Sequence, residues 1–94
     1  MTLGVARVTD ICSGHDGFQP RHSISGSGDV FCEGLPVHRL GDQWEVHTNT
    51  SSHDSILASG SPTVFVNGLP IGRITDQIEC GSTVASGSST VFSG

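Results

Sequence analysis

The sequence is poor in the residues that build large apolar cores. Its 94 residues include no tyrosine, one tryptophan and four phenylalanines. A chain this short buries a limited share of its surface, so a core with so few aromatic residues is thin. At this size the usual additional sources of stability are disulfide bonds, a structural metal ion or association with a partner.

Cysteines, basic residues and long apolar runs are also scarce. The three cysteines, Cys12, Cys32 and Cys80, are an odd number without regular spacing, which argues against a disulfide framework and for a reducing compartment. Only four residues are basic and the net charge is −5, so the chain offers no electrostatic surface for nucleic acid or an anionic membrane. No apolar run has the length of a signal-peptide core or a membrane span, so we expect any export to use another route.

What the sequence has in abundance is internal repetition. Residues 26–42 (GSGDVFCEGLPVHRLGD) align without a gap on residues 60–76 (GSPTVFVNGLPIGRITD), with nine of seventeen positions identical. A third copy is divided between the termini: 87–94 (GSSTVFSG) matches the first half and 3–10 (LGVARVTD) matches the second. Such units need a neighbour on each side to bury their apolar faces. We therefore predict one domain, 1–94, in which three units close around a pseudo-threefold axis.

The local signals are those of strands and tight turns. Short β-branched and aromatic runs lie at 30–31, 64–66 and 91–92, and the first two are followed by Glu33-Gly34 and Asn67-Gly68. Such pairs favour a sharp reversal into a second strand. Apart from one short turn at 43–46, no segment has a helical period. The predicted fold class is all-β, a small threefold β-prism with almost no helix.

An arginine and an aspartate recur in every unit with the same spacing. The pairs are Arg7 and Asp10, Arg39 and Asp42, and Arg73 and Asp76. Residues i and i+3 of an extended strand face opposite sides, so we expect each arginine to bind the aspartate of an adjacent unit and thereby connect the ring. The alternative is that these are solvated surface charges that contribute little.

The loops that follow the three aspartates contain a set of metal-binding residue types. His15 and His47 each lie five residues after their aspartate, and Cys80 lies four after its own, so a threefold fold would bring them to a similar height near the axis. Imidazole nitrogen and thiolate sulfur are ligands of tetrahedral zinc, and His53 from the longest loop can complete the set. The sequence therefore predicts one metal ion bound by His15, His47, His53 and Cys80.

Cys12 is the main competitor for this set, in place of His15 or His53. It lies two residues after Asp10, which is early for a residue that must reach the axis, so we expect a buried thiol instead.

The other histidines and Cys32 have simpler interpretations. We expect His22 to be solvated and Cys32 to lie in the core. His38 stands within a repeated strand where the other units have Ala6 and Gly72, which favours packing or surface exposure over metal binding.

These segments together resemble the PAAR-repeat proteins, named for a Pro-Ala-Ala-Arg motif. The resemblance spans practically the whole chain and depends on the threefold pattern, with the unit GSPTVFVNGLPIGRITD, the terminal ASGSSTVFSG and the loop CSGHDGFQPRH. The tetrapeptide itself keeps only Pro and Arg, at 36–39 and 70–73. The resemblance implies a small conical β-structure with a metal near its vertex, bound by three histidines and one cysteine. That composition coincides with the predicted set.

The same resemblance implies a function. PAAR-repeat proteins cap the trimeric β-helical spike of a contractile injection machine, one cap per trimer, and the cap meets the target membrane transiently. The loops DICSGH and GDQWEVH look most like the phage-baseplate version, and the type VI secretion spike, with the cap as an adaptor for separate effectors, is the alternative. Relatives often have further cysteines where this chain has Gly17 and Thr48 to Asn49, and their absence here removes possible alternative ligands. We expect zinc, with iron as the alternative.

Two further expectations concern the docking face and catalysis. We expect Leu3, Leu35 and Leu69 to contribute apolar contacts where the broad face meets the spike. A zinc hydrolase using Asp16 or Asp54 is the remote alternative, because the chain has hardly the length to form a cleft. We therefore expect no enzymatic activity. We also expect a monomer, because the three repeats of one chain provide the threefold arrangement.

Overall fold

Short antiparallel strands form the fold in the computed structural model, which describes residues 2–14, 20–48 and 52–94. The strands are β1 (Leu3–Gly4), β2 (Phe31–Cys32), β3 (Leu35–Pro36), β4 (Gln43–Thr48), β5 (Ser52–Ile56), β6 (Phe65–Val66), β7 (Leu69–Pro70) and β8 (Phe92–Ser93). Strands β1 and β8 pair with each other, as do β2 and β3, β4 and β5, and β6 and β7. The described residues contain no helix, which confirms the all-β class. The short turn predicted at 43–46 is wrong, because these residues lie in β4 and pair with β5.

Two of the ribbons close through the predicted glycine pairs. Glu33 and Gly34 have φ values of 54° and 81°, and Asn67 and Gly68 have 53° and 80°. Two successive residues with positive φ form the type I′ turn whose twist matches that of the flanking strands. The predicted reversals are therefore confirmed.

The third ribbon of this kind is formed by the two ends of the chain. Leu3 of β1 pairs with Ser93 of β8, and Gly4 pairs with Phe92. The two halves of the divided repeat thus lie side by side. We call the ribbons β1–β8, β2–β3 and β6–β7 the base hairpins.

A closed ring of backbone hydrogen bonds joins the three repeats at the centre of the molecule. Its members are equivalent positions of the repeats, and we call them the axial ring: the N–H of Ala6 donates to the carbonyl of Gly72 (2.9 Å), that of Gly72 to His38 (2.9 Å) and that of His38 to Ala6 (3.0 Å). Each repeat is therefore donor to one neighbour and acceptor for the other. This is the geometry of a pseudo-threefold axis.

Two clusters of buried apolar residues adjoin the axial ring, and we call them the base core and the tip core. The base core consists of Val5, Cys32, Val37, Val66 and Ile71. The tip core consists of Ala6, Cys12, Trp44, Leu57, Ile78 and Val84, with the half-buried Cys80 packed against it. The expected burial of Cys12 and Cys32 is confirmed, at 1% and 4% exposure. None of the three cysteines forms a disulfide bond.

The recurring arginines bind the aspartate of their own repeat, so the expected pairing between repeats is wrong. In the first pair, Arg7 Nε and Nη2 donate to the two carboxylate oxygens of Asp10 at 2.9 and 3.0 Å, and the Arg7 backbone N–H donates to the same group at 2.8 Å. The reason is the backbone: Thr9 has a φ of 82°, so the segment is a tight turn and not an extended strand. A turn brings residues i and i+3 together, as in the other two repeats.

A connection between repeats does exist, but through other side chains. The outer guanidinium nitrogen of Arg7 donates to Glu33 at 2.7 Å, and that of Arg39 donates to Asn67 at 3.0 Å. Both acceptors lie in the turn of a neighbouring base hairpin. The arginines therefore stabilise a turn within their own repeat and, in these two cases, also bind the next repeat.

Candidate metal centre and docking face

The described parts of the loops after the three aspartates lie side by side at the tip core. We call these segments the tip hairpins; their described residues are 11–14 and 20–22, β4–β5, and 77–83. Their lower ends are joined around the axis by backbone hydrogen bonds: Ser13 N–H to Thr83 O (2.9 Å), Glu45 N–H to His22 O (3.0 Å) and Glu79 N–H to Ile56 O (2.9 Å). The fold therefore brings the three loops that contain the predicted metal ligands to the same end of the molecule.

Within these loops, the structure describes the predicted ligands to different extents. His47 of β4 pairs directly with His53 of β5, beyond an irregularity in the register between Trp44 and His47. His15 lies outside the described residues.

Cys80 occupies the tight end of the third tip hairpin. The N–H of Gly81 donates to the carbonyl of Ile78, and the N–H of Ile78 donates to Ser82, both at 2.9 Å, so the turn is fixed on both sides of the cysteine. The side chain is half-buried and packs against the tip core. The turn hydrogen bonds and the contact with the tip core together fix the position of Cys80.

The donor set fits a structural zinc ion. Three imidazoles and one thiolate are ligands that zinc accepts in a closed tetrahedral site. Three of the predicted ligands belong to adjoining hairpins in the described backbone, and two of them, His47 and His53, are paired in the register of β4–β5. The metal site itself stays a prediction.

The competing residues have other environments. The Cys12 sulfur is buried in the tip core and accepts a hydrogen bond from the Arg21 N–H at 3.1 Å. The His22 side chain is 47% exposed, with its Nδ1 3.5 Å from Glu45, so its expected solvation is confirmed. His38 is fully buried, which confirms packing and excludes surface exposure.

Exposed apolar side chains form a second candidate site, on the base hairpins. They are a valine and a phenylalanine at the same two positions of each repeat: Val30 and Phe31, Val64 and Phe65, and Val91 and Phe92. The phenylalanines are 58%, 55% and 54% exposed, so the repeats present nearly equal surfaces. We call these six residues the base face.

A buried serine fixes the backbone at each part of the base face. The Ser27 hydroxyl accepts hydrogen bonds from the N–H groups of Asp29 (3.2 Å) and Val30 (2.9 Å). Ser61 and Ser88 repeat the arrangement in the other two units. The exposed phenylalanines therefore stand on well-ordered turns.

The sequence-based expectation for the docking face named other residues. Leu3 and Leu35 are half-buried, and only Leu69, at 38% exposure, belongs to the exposed apolar residues. In each of the three two-residue strands the phenylalanine is exposed and the next residue is buried, because successive strand residues face opposite sides.

A family model for the PAAR motif matches residues 18–86, well over half of the chain. The chain belongs to the PAAR-motif family. The matched range of this PAAR-motif protein includes both undivided repeats and the tip hairpin β4–β5. No curated protein shows a significant match to the chain. Among the described residues, no helix is long and apolar enough to span a membrane.

Proposed function

We propose that this PAAR-motif protein is the tip that caps a trimeric β-helical spike, docked through its base face. Family membership supports a spike-tip protein of a contractile injection system. The observation that supports the docking surface is the threefold recurrence of exposed Val-Phe pairs on the base hairpins. Exposed apolar surface that recurs in this way is typical of an interaction site.

Symmetry explains why the partner should be a trimer. A single chain with three similar faces can meet three identical subunits with one contact each, whereas association with copies of itself would leave those faces mismatched. The blunt end of a β-helix also exposes unpaired strand edges, which a cap of short strands can cover. We therefore expect one cap per spike trimer.

To test this proposal, the protein is mixed with a soluble trimeric fragment of the spike protein from its own gene cluster, and the mass of the complex is measured by light scattering. We expect a mass of one cap per trimer. Phe31→Gln and Phe65→Gln should weaken the complex at least tenfold, and polar substitutions of Leu35 or Leu69 should weaken it less. Ile24→Gln is the matched control, because Ile24 is 50% exposed but lies outside the base face. A complex with three caps per trimer, or a stable homotrimer of the protein alone, would contradict the proposal.

We further propose that His15, His47, His53 and Cys80 hold one metal ion at the tip, zinc in preference to iron. The ion would supply structural cross-linking, because its binding free energy adds to the stability of the loops that hold it. Fixing three unlike hairpins at one point makes the end of the molecule rigid. A rigid, narrow end concentrates the force of a contracting sheath on a small area of membrane, so the proposed role is mechanical and not catalytic.

Elemental analysis of protein prepared without chelator tests the metal site. We expect about one ion per chain, and substitution of any one of the four ligands by alanine should reduce both metal content and thermal stability. His22→Ala is the matched control and should change neither, because this histidine is solvated. Retention of metal by Cys80→Ala together with its loss in Cys12→Ala would replace Cys80 with Cys12 in the set.

The phage baseplate is the proposed setting, because the first two tip hairpins resemble the compact phage version. A type VI secretion spike with separately bound effectors is the alternative. Tail genes beside the coding sequence would support the first setting, and secretion genes would support the second.

A further inference from the structure

One large polar side chain, the imidazole of His38, occupies the axial ring between the two cores. The equivalent positions in the other repeats are Ala6 and Gly72. A methyl group built on Gly72 would come within 2.8 Å of Leu57 Cδ2 and 3.4 Å of Ala6 Cβ, so this part of the axis is already filled. His38 itself is 0% exposed. The axis thus holds a single large side chain, and that side chain can be protonated.

The hydrogen bonds of His38 define its protonation state in the folded protein. Its Nδ1 lies 2.8 Å from the carbonyl oxygen of Ser25, which can only accept, so Nδ1 is the nitrogen that bears hydrogen. Nε2 is buried and has no hydrogen-bond partner among the described residues. In the neutral ring Nε2 is only an unused acceptor. In the charged ring it would be a buried N–H donor without an acceptor, which is far more costly.

The neighbours of His38 do not offer that acceptor. The Trp44 ring meets the imidazole edge to face, with centroids 5.1 Å apart and planes at 77°, and its Nε1 is itself a donor. Trp44 belongs to the tip core together with the thiol of Cys12. Trp44 therefore offers His38 aromatic surface and an N–H donor that is itself unpaired among the described residues, and no acceptor for a charged Nε2.

Three charged groups act on His38 from the adjoining segments. Burial lowers the pKa of His38, and the positive charge of Arg39 acts in the same direction. The Ser25 carbonyl and the carboxylates of Asp42 and Asp10 oppose this effect but do not cancel it. Both carboxylates are bound by the arginine of their own repeat.

We propose that His38 is an acid-sensitive latch: the neutral imidazole holds the tip core on the axial ring, and protonation at acidic pH opens the tip. This regulation goes beyond the proposed capping function and requires neither the partner nor the metal ion. Its position suits the role, because a charge on the axis acts on all three repeats together.

The direction of the pH effect follows from proton linkage. An exposed histidine takes up a proton near pH 6.5, whereas the buried His38 resists protonation, so the open form binds more protons as the pH falls. The closed form is therefore fully favoured above about pH 6.5 and loses stability below it. The equilibrium constant for opening should rise by up to about tenfold per pH unit in that range.

Trp44 provides the readout, because it is the single tryptophan of the chain and contacts His38. Its emission maximum, measured on the whole protein as purified between pH 7.5 and 5, should move to longer wavelength as the tip opens. His38→Asn places an amide donor near the Ser25 carbonyl but cannot titrate, so most of the pH dependence should disappear. His22→Asn, the same change at an exposed histidine, should behave as the original protein. All three proteins keep the proposed metal ligands, so acid release of metal affects them equally.

Equal pH dependence in the original protein and His38→Asn would overturn the latch and attribute the acid effect to other groups. If His38→Asn does not fold, nitrogen NMR of the unsubstituted protein can measure the protonation state of His38 directly, and this measurement tests the proposal. We expect His38 Nε2 to remain unprotonated well below pH 6.5 for as long as Trp44 emission is unchanged. A ring that takes up its proton near pH 6.5 without any change in Trp44 emission would also refute the proposal.

Discussion

The base and the tip are built from the same three repeats, yet they differ in how far they preserve the symmetry. The base hairpins use equal two-residue turns or, for β1–β8, the two chain ends, and their core positions Val5, Val37 and Ile71 are of similar size. The tip hairpins differ in length, and their equivalent core positions are Cys12, Trp44 and Ile78. Similar residues pack symmetrically in the base, whereas one large ring dominates the tip.

The two proposed functions account for this difference. Docking on a threefold partner requires three equal surfaces, and the exposed phenylalanines meet that requirement. A tetrahedral metal site requires four ligands from three loops, so one loop must supply two, and β4–β5 has His47 and His53 at opposed positions. On these proposals, symmetry is kept in the base, where three docking contacts would be alike, and lost in the tip, where four ligands would come from three loops.

The largest expected effect is the loss of the largest side chain in the tip core. Trp44 is 1% exposed, so Trp44→Ala should lower the free energy of unfolding by about 3–5 kcal/mol through lost burial and a cavity. Val66→Ala in the base core should lower it by roughly 2 kcal/mol, because two methyl groups are lost. Urea unfolding followed by circular dichroism measures both. Equal losses would show that the two cores do not differ as described.

The arginine–aspartate turns lie between base and tip and should behave alike in all three repeats. Asp10→Asn, Asp42→Asn and Asp76→Asn should each lower the free energy of unfolding by about 2 kcal/mol, because each carboxylate accepts charged hydrogen bonds from its own arginine. Glu79→Gln, at an exposed acid, is the control and should change it by less than about 0.5 kcal/mol. Strongly unequal losses at the three sites would show that this layer has lost its symmetry.

These turns also predict a second pH range. Burial tends to raise the pKa of the Asp10 and Asp42 carboxyls, but the hydrogen bonds from Arg7 and Arg39 outweigh it and both pKa values are lowered. The stabilisation is therefore complete above about pH 4 and is lost as the pH falls below it. Urea unfolding between pH 5 and 2 should show this loss in His38→Asn as well, since the hydrogen bonds between each arginine and its aspartate do not involve the imidazole.

A smaller effect is expected at the third residue of the same turns. Thr9 and Thr75 have φ values of 82° and 76°, which strain a β-branched residue, whereas the equivalent Gly41 at 86° is unstrained. Thr9→Gly and Thr75→Gly should each raise the free energy of unfolding by about 1 kcal/mol. Gly41→Ala should lower it by a similar amount, because no atom lies within 4 Å of the added methyl and only the backbone opposes it. Opposite signs at either site would contradict the φ-based explanation.

The smallest effect on stability is expected on the base face. Phe31→Gln should change the free energy of unfolding by less than about 0.5 kcal/mol, because Phe31 is 58% exposed. The same substitution should weaken docking on the spike. A substitution in the base face can therefore change docking while leaving the stability of the protein nearly unchanged. A loss of stability comparable to that of Trp44→Ala would mean that Phe31 serves the fold and not an interface.

Particular residues show how far sequence patterns reached. The Glu33-Gly34 and Asn67-Gly68 turns were predictable because their conformation is fixed by local backbone preferences. The partner of Arg7 was not, because Thr9 gives no local indication that its φ is positive. The base face was missed because exposure depends on which side of a short strand the neighbouring repeat covers.

The sequence by itself determined the threefold repeat, the all-β class, the tight turns and the loops that contain the proposed metal ligands, since all of these follow from local pattern and from the spacing of identical residues. Only the tertiary structure decided that each aspartate binds its own arginine, that Val-Phe pairs remain exposed and that His38 is buried on the axis, where no described residue pairs with Nε2. These features depend on packing between segments far apart in the chain. A repeat pattern gives three equivalent positions, but the volume at the axis allows a large side chain at just one of them.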